Sequence, residues 1–325
     1  MKYIRTNWSI PYYNMAMEDY LMNEEKFDED YVFFYIHDPS IIIGKHQNTI
    51  AEVNSRFVKE NGITVARRMS GGGAVYHDHG NLNFSFVFRR RENELLDFVK
   101  YTRPVIEALK GLGVKSELSG RNDILIDGKK FSGNAQCTNK RRILSHGTLM
   151  FDVNIENMVE ALNVSELKIQ SKAIDSVRSR VANLKTYLDR DMSIEQFRDY
   201  LVQCFFQGGE MQEYTLSRED RNAIETRVRE KFSTWEHNYG ASPQFSLQKI
   251  KKFPAGLLEA GIAVENGTII GIHFSGDFFV NEPVEILEQR LTGLSFREEA
   301  VLAREDLGGI IAGVGKKELV ELLFL

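Results

Sequence analysis

Residues 67–88 read RRMSGGGAVYHDHGNLNFSFVF, a double arginine and three glycines that lead directly into an alternating segment. The glycines at 71–73 remove every Cβ atom from this stretch, so a ligand can lie directly against the backbone. Successive N–H groups there can form a concave nest for phosphate or carboxylate oxygens, and Arg67 and Arg68 add permanent cations with planar, paired donors. The segment therefore predicts a site for a small, anionic, partly apolar ligand. The alternative is a glycine-rich hairpin with solvated arginines at its base.

The residues after the glycines have the period of a β-strand. Apolar residues at positions 82, 84, 86 and 88 alternate with Asn83, Ser85 and Val87, which predicts a strand with one buried face. Asn81, Asn83 and Ser85 share the other face, which could line a pocket or could be wet sheet surface. The glycine spacing fits neither GxGxxG before a helix nor GxxxxGK[ST], so the sequence argues against dinucleotide-fold and P-loop sites.

Length and composition limit the class of protein. A chain of 325 residues, 42% hydrophobic and 27% charged, is expected to form two ordinary globular domains. The balance of 41 Lys+Arg against 46 Asp+Glu gives a net charge of −5, which argues against a nucleic-acid partner. Two cysteines are too few for a disulfide framework. Since no apolar signal region or run of ~20 apolar residues is found, we expect a cytoplasmic protein with no membrane partner, and a monomer.

Strand and helix patterns are interleaved along the chain, which predicts a mixed α/β fold. The expected elements are strands at 41–43 and 63–66, a helix from an Asn54 cap to Gly62, a helix at 104–112, a helix after a Ser193/Gln196 capping box, and a helix marked by Ile224, Val228 and Phe232.

A change in the sequence pattern near residues 240–243 predicts a boundary between domains at 1–243 and 244–325. Beyond it, Asn266-Gly267 predicts a hairpin, Ser295 with Glu298 predicts the start of a helix, and residues 316–323 predict a final helix. This second domain is a small α/β unit whose own residues suggest no catalysis.

A second chemical segment, NDILIDGKKFSGNAQ, begins at residue 122. Its Asp-Gly pair suits a two-residue turn, which places Leu125 opposite Lys130 and Asp123 opposite Ser132. Asp123 and Lys130 then share one face as diagonal neighbours, about 7–8 Å apart at the backbone. A carboxylate and an ammonium that converge there could bind Mg²⁺ and a phosphoryl oxygen. The alternative is that lysines near a hairpin tip are simply solvated.

Two further segments give weaker signals. HGTLMF, which begins at His146, predicts a strand that carries an imidazole and the hydroxyl of Thr148. SVRSRVANL, at 176–184, brings Arg178 and Arg180 to one face only if the segment is extended. Otherwise these arginines form a solvated charge run.

Together, RRMSGGGAVYHDHGN, NDILIDGKKFSGNAQ, HGTLMFDVN and SVRSRVANL resemble lipoate–protein ligases in their order and spacing. STWEHNYGASPQFS also resembles the junction that leads into the accessory C-terminal domain of that family. The resemblance implies a catalytic domain with the α/β fold shared with biotin protein ligases, built on mixed sheets, and a small α/β C-terminal domain. It also implies a two-step reaction: lipoate and ATP give lipoyl-AMP and pyrophosphate, and a lysine of an acceptor protein then takes the lipoyl group.

The same resemblance implies partners and site residues. The acceptor would be a lipoyl domain of a 2-oxoacid dehydrogenase E2 subunit or the glycine-cleavage H protein. Lys130 would be the catalytic residue that touches the lipoate carboxyl group and the α-phosphate, and Asp123 would bind Mg²⁺. The residues implied in binding ATP and lipoyl-AMP are Arg68, Ser70, Gly71, Gly72, Gly73, Ala74, Val75, Tyr76, His77, Asn81, Asn122, Asp123, Lys130, His146, Thr148 and Arg178.

Other functions of this superfamily are alternatives. Some related acyltransferases use a cysteine shortly before the lysine hairpin, but residues 116–121 read SELSGR, and Cys137 follows the SGNAQ motif, where no nucleophile is expected. Biotin ligases usually carry GRGRxG in place of RRMSGGG. The remaining alternatives are a lipoyltransferase that uses preformed lipoyl-AMP and a non-catalytic paralogue that binds lipoyl-AMP or an acceptor without turnover.

Overall fold

The computed structural model describes residues 1–91, 97–120, 122–162, 177–206, 211–239, 247–265 and 267–324. The strands are β1 (Lys2–Tyr3), β2 (Tyr31–Ile36), β3 (Ser40–Ile43), β4 (Thr64–Arg67), β5 (Val75–His77), β6 (Asn81–Arg89), β7 (Glu117–Ser119), β8 (Asp123–Ile126), β9 (Lys129–Thr138), β10 (Arg142–Met150), β11 (Gln212–Glu213), β12 (Leu247–Phe253), β13 (Gly256–Glu265) and β14 (Thr268–Gly276). The helices are α1 (Pro11–Asn23), α2 (Thr49–Glu52), α3 (Ser55–Glu60), α4 (Phe98–Lys110), α5 (Ile155–Ala161), α6 (Ile194–Phe205), α7 (Arg218–Arg227), α8 (Trp235–Asn238), α9 (Val284–Leu291), α10 (Glu298–Leu302) and α11 (Lys316–Phe324).

Two sheets frame the glycine segment. Eight strands form one mixed sheet in the order β11-β1-β2-β6-β10-β9-β8-β7. A second sheet has the order β4-β3-β5, with β3 parallel to β4 and antiparallel to β5. The glycine segment leaves one edge strand of the second sheet and returns as the other, so both of its ends are anchored. The predicted mixed α/β architecture is confirmed.

Strand β6 is buried on both faces, so the prediction of a single buried face is wrong. Phe84 and Phe86 belong to the main apolar core, while Asn83 and Ser85 on the other face are also buried. Helix α1 contacts β6 and β10, and its Glu18 accepts a hydrogen bond from Ser85. The polar face is therefore covered by a helix that supplies partners for it, and it is not wet sheet surface.

Local sequence signals predicted several element ends correctly. Asn54 caps α3 by accepting the N–H of Phe57. Ser193 and Gln196 form the predicted capping box of α6. The helix marked by Ile224 begins after a second capping box and continues from α7 into a π-helical turn at Val228–Phe232.

The helix predicted at 104–112 begins earlier, at Phe98. The prediction took Pro104 as a first-turn residue, but the Asp97 side chain caps the helix by accepting the N–H of Lys100. Pro104 lies inside the helix, where it removes one N–H donor. The start of the helix is therefore set by the Asp97 cap and not by Pro104.

The C-terminal region has its own sheet and core. Strands β12, β13 and β14 form an antiparallel sheet that packs with α9 and α11. The predicted hairpin joins β13 to β14, although Asn266 in its turn lies outside the described residues. The prediction that Ser295 starts a helix is wrong, because α10 begins at Glu298 and Ser295 instead forms a β-bridge with Thr268.

The predicted boundary between residues 243 and 244 falls within 240–246, outside the described residues, and stays a prediction. Across the described ranges, no helix combines the length and apolar character that a membrane span would need.

Candidate active site

A cavity of about 110 Å³ lies between the glycine segment and four neighbouring strands of the large sheet. The predicted residues that line it are Arg68, Gly72, Gly73, Ala74, Val75, His77, Asn122, Lys130, His146 and Thr148. The lining residues that the predicted set did not contain are Met15, Tyr35, Ile42, Asn83, Gly133, Asn134, Ala135 and Gly147. Five of these eight residues belong to the segments already singled out in the sequence, and Met15, Tyr35 and Ile42 come from elsewhere in the chain.

Arg68 holds the glycine segment in shape. Its buried guanidinium donates to the carbonyl oxygens of Gly71 (2.7 Å), Gly73 (2.9 Å) and Ile42 (3.1 Å), and to Ser70 Oγ (3.1 Å). Burial lowers the pKa of this guanidinium to about 10, so it stays charged at neutral pH. Arg68 therefore both orders the backbone and presents its charge to the cavity.

Arg67 has a different place from the one the sequence suggested. Its side chain donates to the carbonyl oxygens of Gly44, Gln47 and His237, and to Thr49 Oγ1. It does not line the cavity. Arg67 therefore ties together segments around the site, and Arg68 is the arginine at the site itself.

At two glycines, the space that a Cβ atom would need is filled by other backbone atoms of the protein and is not open to a ligand. A Cβ atom on Gly71 would lie 2.1 Å from the Phe278 carbonyl oxygen, and one on Gly44 would lie 1.9 Å from the Gly72 carbonyl oxygen. The Gly72 N–H donates to the same Phe278 oxygen at 3.1 Å. Gly72 has φ +91°, which favours glycine. The C-terminal region therefore rests on the glycine segment, and one donor of the expected nest is already used.

Lys130 and Asp123 lie close together as predicted, but the pairing of β8 with β9 differs by one residue from the predicted register. Lys130 lies opposite Leu125, but Asp123 lies opposite Gly133 and not Ser132, because β9 carries one extra residue at a bulge. Lys130 Nζ lies 2.8 Å from Asp123 Oδ1, with both side chains about one-third exposed (39% and 35%). The ammonium is therefore oriented at the cavity edge and open to a ligand.

The segment after Arg178 fixes the backbone of Lys130. The Lys130 N–H donates to the Arg180 carbonyl oxygen (2.8 Å), and the Ala182 N–H donates to the Lys130 carbonyl oxygen (2.9 Å). Val177–Arg180 form a turn and not an extended strand, and Ser176 lies outside the described residues. Arg178 is half-exposed, pairs with Glu156, and does not line the cavity. Its role in ligand binding stays a prediction.

A buried polar chain joins the glycine segment to helix α1. Ser70 Oγ lies 2.6 Å from His146 Nε2, and His146 Nδ1 lies 2.9 Å from Glu18 Oε1. Ser70 also accepts a hydrogen bond from Arg68. A neutral His146 that accepts from Ser70 and donates to the Glu18 carboxylate satisfies these contacts. No motif marked Glu18, because a glutamate is rarely fully buried unless it is paired.

Of the other predicted residues, Tyr76 and Asn81 do not line the cavity, whereas Asn122 and Thr148 do. Tyr76 is part of the main core, and Asn81 donates to Asn83 Oδ1 at 2.9 Å. Asn122, at the lining, donates to the Asn134 carbonyl oxygen at 2.5 Å. Thr148 Oγ1 accepts the N–H of Gly133 at 3.1 Å. These contacts orient the lining and do not add separate binding groups.

Buried imidazoles give the protein a pH-dependent stability. Burial lowers the pKa of His37 and of His46 to about 3 and holds the pKa of His77 well below its ordinary value. An unfolded histidine binds a proton near pH 6.5, so below that pH the unfolded state binds more protons. The stabilisation is complete above about pH 6.5 and is lost as the pH falls toward 3. We expect the free energy of unfolding to fall by about 1.4 kcal/mol per imidazole for each pH unit below 6.5.

Urea unfolding at pH 6.5 and 5.5 measures this loss. A His46→Leu variant is the control, because it removes one of the three imidazoles and should reduce the slope by about a third. Equal free energies of unfolding at the two pH values would contradict the prediction.

Comparisons with known proteins give consistent results. Residues 10–206 match the family model of the lipoyl protein ligase A/B catalytic domain, and residues 242–323 match that of the bacterial lipoate protein ligase C-terminus. Lipoate-protein ligase LplJ of Bacillus subtilis is 44% identical over 324 residues, which cover 98% of each chain. Lipoate–protein ligase 1 of Staphylococcus aureus is 42% identical over 327 residues, which cover 99% of this chain and 100% of that protein.

Solved structures agree with the fold. LipL1 of Plasmodium falciparum, in complex with lipoate, has a TM-score of 0.80 at 24% identity and covers 98% of this chain and 97% of its own. A lipoate-protein ligase A bound with ATP has a TM-score of 0.63 at 28% identity, over 74% and 98% of the two chains. A bipartite lipoate protein ligase from Thermoplasma acidophilum, studied with its E2 lipoyl domain, has a TM-score of 0.67 at 29% identity, over 76% and 98%. The predicted resemblance is confirmed.

Proposed function

Because the chain belongs to the lipoate–protein ligase family, we propose that it activates lipoate with ATP and transfers the lipoyl group to a lysine of an acceptor protein. The observation that carries the proposal is a cavity whose lining combines Arg68, Lys130 and the glycine segment with mainly apolar surface. Such a cavity suits a substrate with one anionic end and one apolar end. The ATP-bound relative supports ATP as the activating nucleotide.

In the first step, an oxygen of the lipoate carboxylate attacks the α-phosphorus of ATP. A bond forms between the carboxylate oxygen and the α-phosphorus. The bond from the α-phosphorus to the oxygen that bridges to the β-phosphate breaks, and pyrophosphate leaves with its electron pair. Negative charge builds on the phosphoryl oxygens during this exchange. The ammonium of Lys130 and the guanidinium of Arg68 are already in place beside the cavity, so they stabilise that charge without reorganisation.

In the second step, the amine of the acceptor lysine, after losing a proton to solvent, attacks the acyl carbon of lipoyl-AMP. The amide bond forms as the nitrogen loses a second proton to solvent, and AMP leaves with the electron pair of the carbon–oxygen bond. Lipoyl-AMP is itself the activated species, so no residue needs to act as a nucleophile, and placing the amine beside it supplies much of the rate. The E2 lipoyl domain studied with the archaeal relative supports a lipoyl domain as the acceptor class, and H protein is a second candidate.

Cys137 does not offer a covalent route for acyl transfer. Cys137 is partly exposed as a residue, yet desolvation of its thiol raises its pKa to about 12. Reactive cysteines need an accessible thiolate at neutral pH. An acyl-cysteine route through Cys137 is therefore disfavoured.

Asp123 is the proposed protein ligand of Mg²⁺. Among the described residues no group of three His, Cys, Asp or Glu side chains could hold a metal by itself. That fits Mg²⁺, which commonly binds one or two carboxylates together with substrate phosphates. When bound, Mg²⁺ would neutralise charge on the triphosphate. In the free protein, the Asp123 carboxylate orients Lys130.

We expect Asp123→Asn to lower kcat/KM for ATP in pyrophosphate release about tenfold to a hundredfold and to raise the Mg²⁺ concentration needed for half-maximal rate. A hydrogen bond to a charged group contributes about 1.5–3 kcal/mol, and ~1.4 kcal/mol is a tenfold change. Asp127→Asn, at the hairpin turn with φ 48°, is the matched control and should behave as wild type. An unchanged Mg²⁺ dependence in Asp123→Asn would contradict the assignment.

Several contacts join the C-terminal region to the glycine segment and to the residues after Gly44. They include the Gly72–Phe278 hydrogen bond, a hydrogen bond from the Gly276 N–H to the His46 carbonyl oxygen (2.7 Å), stacking of the His46 and Phe278 rings, and a Lys45–Glu285 ion pair (3.5 Å). Lipoyl-AMP must be shielded after activation and exposed for transfer. We therefore expect the C-terminal domain to rotate when lipoyl-AMP binds. X-ray scattering profiles with and without lipoyl-AMP should differ, and superimposable profiles would contradict the rotation.

Mass spectrometry of a purified lipoyl domain tests the proposed function. Incubation with the protein, lipoate, ATP and Mg²⁺ should add one lipoyl group to the domain, and a lipoyl domain without its acceptor lysine should stay unmodified. Modification with lipoyl-AMP but not with lipoate and ATP would favour the lipoyltransferase. Binding of lipoyl-AMP without modification would favour the non-catalytic paralogue.

A further inference from the structure

Two buried histidines that no motif predicted as a pair lie beside the cavity. His37 Nδ1 lies 3.0 Å from His77 Nδ1, and His37 Nε2 lies 3.2 Å from Asn14 Nδ2. The same Asn14 nitrogen donates to the Trp8 backbone carbonyl oxygen at 2.9 Å. His37 is fully buried and His77 is 3% exposed. Only His77 lines the cavity.

The Trp8 carbonyl oxygen determines where each proton lies. A carbonyl oxygen can only accept, so the Asn14 atom that faces it is the amide nitrogen, whose second hydrogen points to His37 Nε2. His37 Nε2 must then accept, which leaves the His37 proton on Nδ1. That proton is donated to His77 Nδ1, so the proton of a neutral His77 lies on Nε2. One backbone oxygen thereby fixes the tautomer of His77 through two side chains.

The Nε2–H group of His77 is therefore a hydrogen-bond donor without an acceptor in the described part of the chain. His77 Nε2 is buried and has no hydrogen-bond partner among the described residues, although a buried N–H without a partner is destabilising. His77 lines the cavity, so a bound ligand is the natural source of the missing acceptor.

The strand order places His77 and Lys130 toward opposite sides of the cavity. The lining crosses β2 at Tyr35, β6 at Asn83, β10 at Thr148 and β9 at Gly133. Three spacings between neighbouring strands amount to about 14 Å. His77 contacts His37, the residue after β2, whereas Lys130 lies on β9. A substrate whose carboxyl group lies at Lys130 therefore directs its other end toward His77.

We propose that His37 and Asn14 are positioning residues that fix the tautomer of His77, so that its Nε2–H selects an acyl substrate with a hydrogen-bond acceptor at its far end. The inference rests on the proposed function for the identity of that substrate. The ring sulfurs of lipoate are weak acceptors at that end, whereas octanoate ends in a methyl group. Lipoate therefore gives the buried N–H a partner, and octanoate leaves it without one.

Imidazole ¹⁵N NMR of the wild-type protein tests the tautomers directly, without turnover. His77 should carry its proton on Nε2 and His37 on Nδ1. The chain has seven histidines, so the signals of these two are assigned from the signal that disappears when each one is substituted singly. A His77 protonated on Nδ1 would overturn the inference. Because this readout needs no ATP or acceptor, it separates failure of the inference from failure of the proposed function.

Calorimetric binding of lipoate and octanoate tests the selectivity with matched variants. His37→Leu removes the donor to His77, and the ratio of the octanoate Kd to the lipoate Kd should fall about tenfold. His37→Asn can place an amide N–H near the former Nδ1 position and should stay within about twofold of wild type. If the wild-type protein binds both acids equally, or if His37→Leu keeps the wild-type ratio, the proposed selectivity is wrong.

Discussion

Lys130→Ala should lower the rate of lipoate-dependent pyrophosphate release by about 100-fold to 1,000-fold. Losing one preorganised group that stabilises developing charge typically has an effect of this size. Lys130 lines the cavity, its ammonium is held by Asp123, and its backbone is pinned by hydrogen bonds to residues 180–182. Truncation removes the charge from a position that no neighbouring lysine of the same strand can reach.

Lys129→Ala is the matched control, because Lys129 is the adjacent residue of β9 and does not line the cavity. It should retain the wild-type rate. Transfer from synthetic lipoyl-AMP should also fall in Lys130→Ala, since the same ammonium polarises the acyl carbonyl. If Lys130→Ala folds and releases pyrophosphate as fast as Lys129→Ala, Lys130 is not the catalytic residue.

Gly44→Ala should damage both stability and activity, although Gly44 does not line the cavity. Its new Cβ atom would lie 1.9 Å from the Gly72 carbonyl oxygen, so the glycine segment must move. Overpacking of this kind typically costs about 1–3 kcal/mol in free energy of unfolding. A displacement of about 1 Å at a catalytic site can lower the rate about 100-fold. We expect effects of these sizes in urea unfolding and in pyrophosphate release.

Gly271→Ala provides the comparison, because a Cβ atom there would meet only the Ala263 Cβ at 3.9 Å, an ordinary contact. Its free energy of unfolding should change by no more than about 0.5 kcal/mol. Wild-type activity and stability in Gly44→Ala would mean that the glycine segment does not need its observed position, which would contradict the account of the site.

Features that depend on a few neighbouring residues could be predicted from the sequence. The Asp127-Gly128 turn forms with φ 48° and 73°, and the Asn54 cap is present. The Asp123–Lys130 pair followed from that turn, since a two-residue turn sets the register of both strands. The bulge in β9 was not predicted; next to it Lys130 forms a β-bridge with Val181, which lies far along the chain.

The predicted site contained both charged residues of the cavity lining and lacked Met15, Tyr35 and Ile42, which lie outside the motifs. Arg68, Lys130 and His146 belong to motifs, so the sequence marked them. Glu18 and His37 come from segments whose local patterns indicate only a helix and a turn, and their roles appear when α1 and the end of β2 reach the cavity. Tertiary contacts of this kind leave no trace in the spacing of residues.

Pyrophosphate release by the wild-type protein with lipoate, ATP and Mg²⁺, and without any acceptor protein, shows whether this chain activates lipoate by itself. We predict release that requires lipoate and that yields lipoyl-AMP bound to the protein. No lipoate-dependent release from a folded protein would contradict this prediction and would leave the lipoyltransferase or the non-catalytic paralogue as the function.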